Sequence, residues 1–308
     1  MKKIGKKILL GLFSLTLTFV LVACGGNNGN AGNTQKDKLV LQFVPTRAGE
    51  SMDAKAKPLG DLLSKELGID VEVTIATDYT TIIEAMASNK VDIGIMPPNS
   101  YVQAHDQGAA DAVLQALIPA PSKETGEKDF KNLVDGFHGE ILVRADSGIN
   151  SLDDLKDKTI AVQNAASASG YIFPVVELKA HGFDINNDLK LQTVQGIDTG
   201  IMSVVNKDVD ATLSFEGGRT IVKKDVPTIF QDVKVLYLTE KTIPNDAIAV
   251  SSQMDEEMKE KVKAAFLAIA KDEEGKAIIS DLYSHQGYVA SDDSKYDVVR
   301  EYSKKAAE

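Results

Sequence analysis

Ser167, Ser169 and Gly170 stand where an apolar run over residues 159–162 gives way to a helical pattern carrying Val175, Val176 and Leu178. The first N–H groups of a helix have no partner inside it, and the helix dipole is positive there. A turn of small hydroxylated residues at such a place can hold an oxyanion without an arginine. Ser167 and Ser169 add hydroxyl donors, and Gly170 lets the main chain come close. The same hydroxyls serve equally well as caps of their own helix. Tyr79, after Asp78, opens another helical pattern, and taken by itself it reads as an aromatic capping that helix. Arg47 follows a strand-like run over residues 39–45, at a carboxyl end where open α/β sheets bind ligands. Its guanidinium would suit a two-pronged grip on an oxyanion, with a solvated surface arginine as the alternative. His105, His138, His181 and His285 are scattered without metal-ligand spacing, and no nucleophile elbow, P-loop or Cys-His pairing is present.

These residues need elements to hold them, and the chain alternates strand and helix. The runs at 39–45 and 71–75 flank a helical stretch, 53–67, that closes on Gly68. A helix with Ile82, Ile83, Ala85 and Met86 on its apolar face follows, then a strand over 91–96 that Pro97 and Pro98 stop. Strand, helix, strand is the unit of a parallel sheet. Asn89-Lys90-Val91-Asp92-Ile93-Gly94 is echoed by Asn206-Lys207-Asp208-Val209-Asp210-Ala211-Thr212, each after an apolar helix and opening a strand. The echo implies two lobes of one design, although short charged turns also recur by coincidence. Asp92 and Asp210 read as holding turns rather than metal. Ser151 reads as the N-cap of a short helix. From Asp255 the pattern turns helical, with Met258, Val262, Phe266 and Ile269 in step, and the closing helices are expected to pack on the first lobe.

Cys24, the single cysteine, ends an apolar run that starts at Ile8 behind Lys2, Lys3, Lys6 and Lys7. The run is short for a membrane span and reads as a secretory signal peptide over residues 1–23. Leu21-Val22-Ala23-Cys24 resembles the lipobox of bacterial lipoproteins, in which the thiol becomes a lipid thioether; an incidental cysteine near the cut is the alternative. Residues 24–38 are polar and glycine-rich, as a flexible tether is. A lone cysteine rules out an internal disulfide. The formal net charge is -11, and four units more negative without the leading lysines, so nucleic acid is not an expected partner. A small anion would be held by short-range donors rather than drawn in by the overall field.

Together these segments resemble the phosphate, phosphite and phosphonate solute-binding proteins of ABC importers, the phosphonate-binding family in particular. The resemblance runs through Pro58-Leu59-Gly60-Asp61-Leu62-Leu63, Asp78-Tyr79, Lys90 to Gly94, and Ser100-Tyr101-Val102-Gln103-Ala104. It continues through Asp146-Ser147-Gly148-Ile149, Ser167-Ala168-Ser169-Gly170-Tyr171 and Ile243-Pro244-Asn245-Asp246.

The resemblance implies an α/β chain of the type II periplasmic-binding-protein fold: two α/β lobes joined by a two-strand hinge, with a ligand cleft between them. Lobe 1 would comprise residues 39–140 and 246–308, and lobe 2 residues 141–245, with crossings near Ile141 and from Ile243 to Val250. It implies that Ser167, Ala168, Ser169 and Gly170 hold the phosphorus oxygens together with Tyr79, and that Tyr101 belongs to the site. Ala168 stands where the family has a threonine. Phe137, beside His138, replaces a second tyrosine, and Ile197 falls where a histidine is expected. Glu216 and Asp246 match carboxylates that meet a ligand ammonium, and solvated loop charge is the alternative for both. The implied partners are a small phosphorus oxyanion, an ABC permease with its cytoplasmic ATPase, and the membrane through the lipid anchor. The chain would act as a monomer without cofactor or metal. Another small anion or metabolite on the same fold, or an extracytoplasmic enzyme or adhesin, are the competing readings.

Overall fold

The computed structural model describes residues 36–44, 53–122 and 127–308; Cys24, the leader and Arg47 lie outside them. β1 (Lys38–Phe43) and β2 (Asp70–Ile75) pair in parallel around α1 (Asp53–Leu67). On α1, Leu59 and Leu63 fall four residues apart on one face and are fully buried. Gly68, at φ +69°, then releases the chain from the helix. Asp78 caps α2 (Tyr79–Ala87) by accepting from the Thr81 N–H at 2.8 Å. β3 (Ile93–Met96) is buried throughout and pairs in parallel with β1. Pro97 and Pro98 do more than end this strand. They open α3 (Pro98–Asp106), where proline's missing N–H costs nothing. The long β4 (Ala110–Pro121) then carries β5 (Lys128–Val134) as an antiparallel partner.

β6 (Gly136–Phe137) leads into a second sheet formed by β7 (Gly139–Arg144), β8 (Thr159–Val162), β9 (Lys190–Thr193), β10 (Ala211–Phe215) and β11 (Val233–Leu238). Its helices are α4 (Phe173–Ala180), α5 (Ile197–Asn206) and the short α6 (Ile229–Asp232). The chain returns through β12 (Ile243–Pro244), which pairs antiparallel with β6. A Cβ on Gly136 would come within 2.6 Å of Thr242 Cγ2 and 2.9 Å of the Ile243 carbonyl, so glycine lets the two crossings touch. Ile141, near which the outward crossing is expected from sequence, lies inside β7. β13 (Ala247–Ser251), α7 (Glu256–Ile269), α8 (Glu273–Tyr283), β14 (Gly287–Ala290) and α9 (Asp297–Ala307) complete the first sheet and its covering helices.

The strand orders are β14-β4-β13-β3-β1-β2, with β5 beside β4, and β11-β7-β10-β8-β9. Both sheets contain a parallel trio in the order second, first, third, namely β2-β1-β3 and β9-β8-β10. The sequence echo acquires a structural meaning here. Asp92 Oδ2 accepts from the Val40 N–H at 2.9 Å while the Asp92 N–H donates to the Val40 carbonyl. Asp210 does the same with Thr159, again at 2.9 Å. Each carboxylate clamps the entrance of the neighbouring parallel strand.

Helices α1, α7 and α8 pack on the first sheet through Leu59, Leu63, Val262, Phe266 and Ile279. The last helix, also expected on the first lobe, packs on elements of both sheets. Tyr296, Val299 and Tyr302 join a core that includes Tyr101 and Val102 of α3 as well as Phe173 and Val176 of α4. The Tyr302 ring stacks on Phe173 at 4.2 Å, and Ser303 donates to Asn99 Oδ1 at 2.8 Å. Helix α9 is therefore bonded to elements of both sheets.

Candidate functional site

A cleft of about 440 Å³ lies between the two sheets. Its walls come from the carboxyl ends of the parallel strands: Val44 after β1, Tyr79 after β2, Pro97 after β3, Gln163 after β8, Gln195 after β9 and Glu216 after β10. Side chains converge at such ends because a right-handed strand-helix-strand unit leaves its loops there, opened further where strand order reverses.

The turn after β8 is wound more widely than an α-helix. Residues 168–172 form one π turn, with the Ile172 N–H donating to the Ser167 carbonyl at 2.9 Å, before α4 begins. Such turns concentrate at functional sites. Ser167 is buried, and its Oγ accepts from the Gly170 N–H at 3.1 Å. Gly170 itself sits behind the wall: a Cβ there would run into Gln163, so its close approach is to protein rather than to ligand. Ala168 and Ser169 reach the cleft.

Tyr79 faces this turn from the first sheet. Its phenol bonds with the Ser167 side chain, and the carboxylate of Asp246 lies close enough to act on it. The Ser167 hydroxyl also accepts from the Gly170 N–H, so the serine turn and the Tyr79 phenol share one hydroxyl. Burial, with help from Asp246, raises the Tyr79 pKa and keeps the phenol protonated; Ser167 opposes the rise.

Asp246 follows β12 by two residues and lines the cleft with Tyr283 and His285. Tyr283 donates to the Val44 carbonyl at 2.7 Å and is pushed well above the ordinary phenol range by burial first and by Asp246 second. Glu216 also lines the cleft; its Oε2 accepts from the His138 N–H at 3.3 Å. The Phe137 ring meets Phe215 edge-on at 6.1 Å. Asp78, Glu216, Asp246 and Asp281 thus bring carboxylates to the wall, against Lys128, whose Nζ donates to Ser284 Oγ at 2.7 Å.

Two residues singled out from sequence lie elsewhere. Tyr101, on α3, is buried against Tyr296, its hydroxyl donating to Asp293 Oδ1 at 3.0 Å and accepting from the Ala112 N–H at 3.3 Å. The His138 ring turns from the cleft, with Nδ1 2.7 Å from the Thr239 carbonyl. Among the described residues no group of acidic, histidine or cysteine side chains could hold a metal ion, and no helix is long and apolar enough to cross a membrane. The strand-end rule could have pointed to Gln163. Nothing in the local sequence marks Tyr283 or His285, which arrive from the chain's last third.

Residues 41–296 match the family model described as the periplasmic phosphonate substrate-binding protein of ABC transporters. The chain is 27% identical over 252 residues to the phosphonates-binding periplasmic protein of Escherichia coli (strain K12), covering 80% of this chain and 71% of that one. It resembles a crystal structure of a binding protein component of an ABC phosphonate transporter from Pseudomonas aeruginosa, with a TM-score of 0.73 at 21% identity over 88% of this chain and 86% of the other. PhnD1 from Prochlorococcus marinus (MIT 9301), in complex with methylphosphonate, gives a TM-score of 0.72 at 18% identity, with 87% and 98% covered. The fold is that of type II periplasmic binding proteins. With the match spanning most of its length, this chain belongs to the phosphonate-binding family of ABC-transporter substrate-binding proteins.

Proposed function

We propose that this chain captures a phosphonate, or the related phosphite or phosphate, between a lobe of residues 39–140 with 246–308 and a lobe of residues 141–245, and delivers it to an ABC permease driven by a cytoplasmic ATPase. The observation that carries this reading is the meeting of Tyr79 and Ser167 from opposite sheets. A ligand that takes the phenol proton and the hydroxyl of Ser169, with the unpaired amides of the turn, binds both walls at once and favours their approach. Such a ligand must be an acceptor on several sides, as a phosphorus oxyanion is.

The carboxylates argue further that the ligand carries a cation. A plain dianion would meet Asp246 and Glu216 at its far end, whereas the ammonium of an aminoalkylphosphonate would neutralise one of them. Cys24 is read as the lipid-bearing residue that keeps this receptor on the outer face of the cell membrane.

Titration calorimetry against methylphosphonate, 2-aminoethylphosphonate, phosphite and phosphate tests the ligand class. At least one phosphonate should bind with a dissociation constant of about 1 μM or lower, and none tighter than about 1 mM would refute the assignment. Ser167→Ala with Ser169→Ala should weaken binding by roughly ten- to a hundredfold, on the order of one to two charge-assisted hydrogen bonds. Unchanged affinity would leave the turn as a cap alone.

A further inference from the structure

Asp246 does not face the cleft unaided. Its Oδ2 lies 3.4 Å from His285 Nε2, and the imidazole is 1% exposed against 21% for the carboxylate. The other ring nitrogen, Nδ1, lies 3.4 Å from the Tyr288 hydroxyl. The imidazole stacks on Tyr283 at 5.1 Å with 29° between planes, and Tyr288 meets it edge-on at 5.6 Å and 85°. Tyr283 is itself tied to the Val44 carbonyl. The ring is therefore held on three sides and cannot swing without disturbing α8 and β14.

We infer that His285 is the positioning residue that lets this cleft tell an ammonium-bearing ligand from one without. The inference rests on the reading of the cleft as a phosphorus-oxyanion site with Asp246 at its cationic end. A carboxylate bonded at Oδ2 to a fixed ring presents Oδ1 in one orientation, and among the described residues Oδ1 has no protein partner. With one ring nitrogen at Oδ2 and the other at the Tyr288 hydroxyl, the ring is fixed at both ends and holds the carboxylate in place. Tyr79 and Tyr283 line the same pocket beside that charge. A carboxylate free to rotate would have to be ordered by the ligand itself, which weakens the amine contact and leaves the oxyanion contact untouched.

The readout is the ratio of dissociation constants for ethylphosphonate and 2-aminoethylphosphonate, two ligands that differ only in the amine. His285→Phe should lower this ratio by about tenfold while ethylphosphonate affinity stays within about threefold, and His285→Gln, which retains a donor at the Nε2 position, should restore most of it. Tyr288→Phe keeps the ring packing but removes the hydroxyl at Nδ1. It should lower the ratio by roughly two- to fivefold, and it serves if the Phe variant does not fold. Asp246→Asn separates the two levels. If it collapses the ratio and the His285 and Tyr288 variants do not, His285 is a packing residue and the inference is overturned while the site reading stands. If Asp246→Asn leaves the ratio unchanged, the cationic end is elsewhere and both fall.

Discussion

Glu140, on β7, is fully buried with neither carboxyl oxygen in a hydrogen bond of good geometry. Burial pushes its pKa up to about 8, against the opposing pull of the Arg219 guanidinium and of the Gly217 and Gly218 amides. A folded-state value above the unfolded one means that the folded protein binds more protons between about pH 4.5 and 8. Stability is therefore lost as pH rises through that window. Glu140→Gln removes the titration. Denaturant melts at pH 5, 7 and 9 should show the variant gaining on the parent by up to about 1.4 kcal/mol per pH unit across the window, and a gap independent of pH would refute the buried-acid account. At this scale the sequence was uneven. The serine turn and Tyr79 announce themselves, because helix starts and strand ends follow local rules. Glu140 and His285 do not, because only their neighbours from distant segments bury them.

Among the elements, α9 has an unusual load. Glu177 of α4 is a buried carboxylate accepting from the Tyr237 hydroxyl at 2.7 Å, the Glu240 N–H at 2.9 Å and the Tyr302 hydroxyl at 3.2 Å. One side chain thus joins α4, the approach to β12 and the last helix. Lys179 Nζ donates to the Ala306 carbonyl at 2.9 Å, a cation placed at the negative end of α9. Glu177→Gln leaves donors facing an amide group, and should destabilise the fold by about 2–3 kcal/mol in a urea melt, with Tyr302→Phe nearer 1 kcal/mol. Near-zero changes for both would show that α9 is held by its apolar face alone. Strand and helix identity was legible here from periodicity, including the run over 159–162, which the structure reproduces as β8. The placement of α9 was not, since an amphipathic pattern says that a face is buried without saying against what.

For the whole molecule, the lipid anchor proposed at Cys24 would make location a matter of one atom. A diacylated cysteine adds about 0.8 kcal/mol of membrane affinity per buried methylene, so the full chain expressed in cells should enter the detergent phase on Triton X-114 partitioning, and Cys24→Ala should move it to the aqueous phase. Identical partitioning of the two would exclude the anchor. Two lobes were legible from the echo around Asp92 and Asp210, which survives in the structure as the same pair of hydrogen bonds made twice. The contact between β6 and β12 bears on time as well as on shape. Phe137 lies in one crossing, and Asp246 follows the other by two residues. A contact at a fulcrum barely moves when the arms swing, whereas Ser169, out on an arm, travels. If the sheets turn about this ladder, a ligand can dock on Asp246 before the walls meet, which sets its rate of arrival. The proposed serine turn would then engage last, and the length of its grip would set the rate of escape.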